Sequence, residues 1–305
     1  LPIYPVISSI SSSWGNYLNS TEDNNDGTVT VVTSSVEDGQ TLTIGLNSIN
    51  YTGSINSNTV TIPISTSNLQ GLTDGITYTI TANVSDIAGD VAIQVSTTFI
   101  YDITAPTVSS FIMSDTALKI NDTSTVTLIF SKAITSFSNE NITLENGTLS
   151  TMSTSDDITW TGVFTPTINI EDASNILTLS SSYTDLAGNA GPSAVTANYT
   201  IDTLAPTISS ITPSWGSYLN STEDNSDGTV TIATTNVEDG QTLTIGLNSV
   251  NYTGSISNNT VTITISATNL QALTDGITYT ITANVSDIIG NIATQGTTTF
   301  IYDIT

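Results

Sequence analysis

The chain has 305 residues, a length that suggests two or three domains. Asp and Glu number 27 against two basic residues, Lys119 and Lys132, for a formal net charge of −25, and Cys, His and Arg are absent. That composition excludes Ser-His-Asp and Cys-His nucleophiles, zinc and other sites built on imidazole or thiolate, and recognition of nucleic-acid phosphate by Lys and Arg.

Anionic membrane surfaces repel such a chain for the same reason, and no run of about 18 apolar residues offers a bilayer span. The absence of Cys rules out disulfides without fixing a compartment. The start, Leu1-Pro2-Ile3, is unlike a signal peptide, so the expectation is an excised or processed piece of something longer. Ser and Thr make up about a third of the residues. The hydrophobic fraction of 37% and its regular alternation nevertheless argue for a folded chain rather than disorder.

In chain order, Thr28–Thr33, Thr41–Leu46 and Thr59–Ile64 alternate apolar and hydroxyl residues with period two, as do Ile76–Ala82 and Ser96–Tyr101. Such alternation predicts half-buried strands with Val, Ile, Leu and Tyr inward and Thr and Ser outward. Asp26-Gly27, Glu37-Asp38-Gly39 and Asp74-Gly75 supply the turns between them. The expected strands are A near 6–10, B 28–33, C 41–46, a C′/E hairpin over 50–64, F 76–84 and G 91–101. Six or seven short strands and no helical period read as an immunoglobulin-like sandwich.

The segment Trp14-Gly15-Asn16-Tyr17-Leu18-Asn19-Ser20-Thr21-Glu22-Asp23 returns 201 positions later as Trp215-Gly216-Ser217-Tyr218-Leu219-Asn220-Ser221-Thr222-Glu223-Asp224, and the offset holds to the end of the chain. Between the copies lies a divergent segment of similar length, whose stretch Ser136–Asp157 reads as longer C and C′ strands. The expectation is therefore an all-β chain of three tandem Ig-like sandwiches placed end to end, over 1–102, 103–202 and 203–305.

The linkers Asp102-Ile103-Thr104-Ala105-Pro106-Thr107 and Asp202-Thr203-Leu204-Ala205-Pro206-Thr207 each lead into a strand. A late motif, Asp185-Leu186-Ala187-Gly188-Asn189, has variants at Asp86-Ile87-Ala88-Gly89-Asp90 and Asp287-Ile288-Ile289-Gly290-Asn291. With Ser124–Ala133 and Trp160–Pro166, these resemble the bacterial Ig-like repeats of giant secreted surface adhesins of the biofilm-associated and RTX types. The resemblance spans essentially the whole chain. It implies an extracellular, cell-surface spacer that binds calcium near its module junctions and projects an adhesive tip for adhesion and biofilm formation. The match lapses at the start, where Leu1 stands in the position of Asp202.

If the termini lie at opposite ends of each sandwich, the B–C and F–G loops share the entrance end, and the A–B and E–F loops share the exit end with the linker. The second junction would then gather Glu171 and Asp172 (E–F), Asp202 (linker), Glu238 and Asp239 (B–C), and Asp287 and Asn291 (F–G). At the first junction the corresponding set is Asp102, Asp185 and Asn189, with Glu22, Asp23, Asp26 or Asp74 as further candidates. Converging carboxylates repel unless a cation sits among them, and calcium accepts about six to eight such oxygens. The plainer alternative is that these acids only form turns and cap backbone N–H groups.

Trp14 and Tyr17, with Trp215 and Tyr218, are either a carbohydrate platform or the plug where strand A leaves its sheet; Trp160 reads as core. Asn-x-Ser/Thr sequences, as at Asn50, Asn83, Asn146 and Asn251, occur about as often as chance gives and imply nothing. An isopeptide crosslink needs a Lys, which only the middle segment has. The expected partners are calcium ions and neighbouring modules of the chain, with surface glycans or like chains under the competing readings of a glycan-binding module or a filament or surface-layer subunit. An enzyme is the least expected class.

Overall fold

The structure is a computed structural model and describes residues 4–305, so the expected incomplete half-site at Leu1 lies outside the described residues. The first module holds eight strands: β1 (Val6–Ser12), β2 (Tyr17–Leu18), β3 (Gly27–Ser34), β4 (Thr41–Leu46), β5 (Ile49–Ser54), β6 (Thr59–Ile64), β7 (Ile76–Asn83) and β8 (Val95–Tyr101). They form two sheets, ordered β1-β3-β6 and β2-β8-β7-β4-β5. Alternation sets the faces. In β3, Val29 and Val31 are fully buried while Val32 and Ser34 face outward. Pro63 is tolerated because β6 is an edge strand, where its missing N–H breaks no ladder.

The first strand is split between the sheets: β1 pairs antiparallel with β3, and β2 pairs parallel with β8. Trp14 sits at the crossing. It is 7% exposed, meets Phe99 edge-on at 5.2 Å, and lies so close to Gly27 that a Cβ there would stand 2.4 Å from the indole ring. It plugs the sandwich, and its copy Trp215 does the same against Phe300.

The expected C′/E hairpin is corrected. Strand β5 pairs with β4 in one sheet and β6 with β3 in the other, so the chain changes sheets between them over the buried Ile55. Positive φ at Asn47 and Ser48, and again at Ser57 and Asn58, makes the tight turns on either side. Period-two alternation marks a strand but not its sheet, so the switch was invisible in sequence.

A one-turn helix, Thr66–Leu69, also went unforeseen, being too short for any period. Asp26 fixes its start by accepting from Thr66 N at 2.8 Å, and Leu69 fills the core below. The third module repeats the first strand for strand, from Thr207–Pro213 to Gly296–Tyr302.

In the middle module, Gly147–Leu149, Thr159–Pro166, Ser124–Phe130 and Val108–Met113 form a four-stranded sheet. The opposing layer contains Ala117–Lys119 and Glu171–Asn175 on either side of Tyr199–Asp202. The long C and C′ strands expected over Ser136–Asp157 are not formed. That stretch holds only Ile142–Thr143 and Gly147–Leu149, the latter paired with Thr159–Pro166 in the opposite sheet. Its polar side chains compete for the backbone. Asn139 donates to Leu149 O and Ser150 O and accepts from Met152 N, while Ser138 and Asn141 close a capping box.

The chain is thus all-β, with a separate hydrophobic core in each sandwich. Among the described residues no helix is long and apolar enough to cross a membrane.

Candidate functional site

Asp102 follows the last strand of its sandwich and Asp202 ends the last strand of the next, and the Asp-x-x-Gly-Asn loop of the sandwich beyond comes to meet each of them. That loop is rigid for a local reason. Asp185 Oδ1 accepts from Ala187 N at 3.0 Å and Asn189 N at 2.9 Å, and Gly188 takes φ +93° to let the chain turn back. Asp287 and Asn291 repeat the bond at 2.7 Å, with Gly290 at φ +90°.

Both Asn side chains then reach across the joint. Asn189 Nδ2 donates to Asp102 O at 2.7 Å, and Asn291 Nδ2 donates to Asp202 O at 2.9 Å. Their amide oxygens are taken from the preceding module as well: Asn189 Oδ1 accepts from Ser20 N and Ser20 Oγ, and Asn291 Oδ1 accepts from Ile120 N. Asn19 adds a bond from Nδ2 to Ala187 O at 2.8 Å.

At the first joint the structure brings Asp102, Asp185 and Asn189 together, and a side chain not foreseen for this site joins them. Lys132 Nζ lies 2.9 Å from each carboxylate oxygen of Asp102, 3.1 Å from Asp185 Oδ2 and 2.6 Å from Thr104 O. Desolvation pulls the Lys132 pKa down, but its bonds to Asp102 and Asp185 together outweigh that and hold it above the usual lysine value. It is an ammonium. Among the described residues only Lys132 forms ion pairs.

At the second joint the charges of Asp287, Glu171 and Glu238 all act on Asp202. Glu171 pairs with Asp202 across the strands, and Glu238 Oε2 accepts from Ile288 N at 2.9 Å. The Asp202 carboxyl is pushed above the usual range, first by desolvation and then by the charges of Asp287, Glu171 and Glu238. Asp287 is 4% exposed, and its Oδ2 is buried with no hydrogen-bond partner. A buried carboxylate oxygen with nothing to accept is costly. Among the described residues, no group of three or more Asp or Glu side chains is placed to hold a metal ion. The orphaned oxygen of Asp287, in an acidic surrounding, is the feature that suits a hard cation accepting carboxylate oxygen.

Two expected members are engaged elsewhere. Asp172 accepts from Asn146 Nδ2 and Ser174 N within the middle module, and Asp239 Oδ1 accepts from Asn258 N at 2.7 Å within the third. Glu171 and Asp172 also lie on a strand, not in the loop that the sequence suggested. The further candidates of the first joint are likewise committed. Glu22 binds Asn19 N, Asp23 accepts from the Tyr101 hydroxyl, Asp26 caps the short helix, and Asp74 accepts from Ile103 N and the Thr104 hydroxyl.

Fold and site together define a tandem Ig-like β-sandwich protein with acidic, hydrogen-bonded joints. Residues 102–201 match the family model of the bacterial Ig-like domain, so the middle module carries that domain. No curated protein matches the sequence. Among solved structures, one from a 1.5-MDa bacterial ice-binding adhesin is 22% identical, with coverage of 100% of this chain and 99% of that one, at a TM-score of 0.46. A Ca2+-stabilized adhesin with which an Antarctic bacterium binds ice is 20% identical, covering 97% and 74%, at 0.44. A three-Ig segment of titin is 12% identical, covering all of both chains, at 0.47. These likenesses are too distant to speak of function.

Proposed function

We propose that the chain is a structural spacer from a bacterial extracellular adhesin, stiffened by calcium, that holds an adhesive tip away from the cell surface in adhesion and biofilm formation. The observation that carries the calcium reading is the buried, unpartnered Asp287 Oδ2, whose charge acts with those of Glu238 and Glu171 on Asp202 across the second joint. Tandem sandwiches tied through short hydrogen-bonded linkers and the bacterial Ig-like domain of the middle module support the spacer role.

Asp202, Asp287 and Glu238 would hold the ion, with Glu171 adding charge. Calcium would supply the positive charge that Asp202 and the acids acting on it lack. The chain's own residues do the rest. Asn291 ties the linker to the loop, and Gly290 lets the loop close on it. A ligand of the folded state alone stabilises it by about 2.7 kcal/mol at a hundredfold excess over Kd. Extracellular modules bind at about 10⁻⁴ to 10⁻³ M, so a hundredfold excess means about 10–100 mM calcium. The competing glycan platform has less support, since Trp14 and Trp215 are each only 7% exposed.

The test compares thermal unfolding of the wild type and Asp287→Asn, with excess calcium and with chelator. Calcium should raise a wild-type transition by roughly 10–20 °C, taking about 4–8 °C per kcal/mol for a module of this size. Asp287→Asn should be insensitive to calcium, and in chelator no less stable than wild type, because an amide relieves the repulsion. A wild type that melts identically in both conditions refutes the calcium reading.

A further inference from the structure

The two joints share one framework and differ at one oxygen. In each, the loop aspartate binds its own loop through Oδ1 and the loop asparagine holds the carbonyl of the linker aspartate. At the first joint the second oxygen, Asp185 Oδ2, accepts from the Lys132 ammonium at 3.1 Å and from Asn189 Nδ2 at 3.2 Å. At the second the equivalent Asp287 Oδ2 has no partner.

We propose that Lys132 takes the place of a metal ion at the first joint, so that this joint is locked without calcium and only the second responds to it. The lock is an ammonium within 3.1 Å of four oxygens, two from Asp102, one from Asp185 and one from Thr104. Such a ring of carboxylate and carbonyl oxygens is what a hard cation collects. Asp185 is 2% exposed, and without the lysine its Oδ2 would keep only the 3.2 Å bond from Asn189 Nδ2, with no positive charge beside it. The third module supplies the opposite charge from the corresponding stretch after its long strand Gly228–Thr235, which continues Asn236-Val237-Glu238. There Glu238 adds a carboxylate beside Asp202 where Lys132 would have neutralised one.

Lys119 does not substitute for it. It stands beside Asp202 in strand register, yet its ammonium lies against Gly290, and among the described residues it makes no ion pair. The segment is therefore a rod with one permanent joint and one joint set by the surrounding calcium. The statement about the second joint rests on the calcium reading above; the statement about Lys132 does not.

The absence of Cys makes the test direct. Spin labels are attached in pairs through Thr52→Cys with Thr148→Cys across the first joint, and Thr148→Cys with Thr253→Cys across the second, all at exposed strand positions. Distance distributions are recorded in millimolar calcium and in chelator. In the wild type, the first pair should stay narrow in both conditions and the second should at least double in width on chelation. Lys132→Met, which keeps the aliphatic stem, should broaden the first pair in chelator, and Asp102→Asn, in the linker and outside any core, should do the same.

If the first pair of the wild type broadens on chelation, the first joint needs metal and the proposal about Lys132 is overturned while the calcium reading stands. If neither wild-type pair responds, the calcium reading fails. The Lys132 variants then decide alone, broadening supporting the lysine lock and an unchanged first pair overturning it.

Discussion

Tyr101→Phe removes one atom from the exit end of the first module. The hydroxyl of Tyr101 donates to Asp23 Oδ2 at 2.7 Å, and the two residues are 2% and 6% exposed. The ring keeps its packing in the variant, so the effect isolates the bond. Hydrogen bonds to a charged group contribute about 1.5–3 kcal/mol, and the carboxylate left behind cannot reach water freely. The expected loss is about 2 kcal/mol, or roughly 8–16 °C in the melting temperature of that module. Trp14, Trp160 and Trp215 fall one to a module, so a background with Trp160 and Trp215 changed to Phe lets urea unfolding be read from the first alone. Tyr302→Phe, read through Trp215, repeats the test on the pair with Asp224 at 2.6 Å. Losses below about 0.5 kcal/mol in both modules, the range of ordinary surface changes, would refute the reasoning.

The same pair makes the third module sensitive to alkali. The Tyr302 pKa is pushed up to about 12, first by its bond to Asp224 and then by desolvation. A raised folded-state pKa means stability that is whole below the unfolded value of about 10. It is lost as pH rises toward about 12, and Tyr302→Phe should flatten that slope in unfolding measured across the window, leaving the smaller contribution of Tyr252, whose pKa burial also raises. Gly27→Ala should destabilise the first module by about 1–3 kcal/mol, since the added carbon would stand 2.4 Å from Trp14; an unchanged urea midpoint would mean the plug is loose. Asn189→Ala cuts the bonds that tie the middle module to Asp102 O and Ser20 across the first joint. It should broaden the distance between modules without shifting the unfolding of either core, and a lowered core stability instead would place its role inside the middle module.

Local pattern carried most of the fold. Thr alternating with Val and Ile named β3, β4, β6 and β7 because a half-buried strand leaves that trace in consecutive residues. The sheet change at Ile55 and the polar stretch Ser136–Asp157 were lost because neither depends on period: one is a matter of which sheet a strand joins, the other of side chains bonding nearby backbone. At the joints, the sandwich topology put Asp102 with Asp185 and Asn189, and Asp202 with Asp287, Asn291 and Glu238, which is where the structure has them. It also put Asp172 and Asp239 there, and each is held by its own module instead. Lys132 was read only as a residue able to crosslink. Its contact with Asp102 spans 30 positions and two modules, and the one trace in the sequence was that a chain with two lysines keeps one just after a central strand, facing an acidic linker.

Small-angle scattering of the whole chain, in millimolar calcium and then in excess chelator, tests the calcium reading most directly. The expected result is a rigid three-module particle in calcium that loosens in chelator through bending at the second joint, with the first two modules still moving as one body. Superimposable profiles in the two conditions would contradict it and leave Asp202, Glu238 and Asp287 as acids that serve turns and solubility alone.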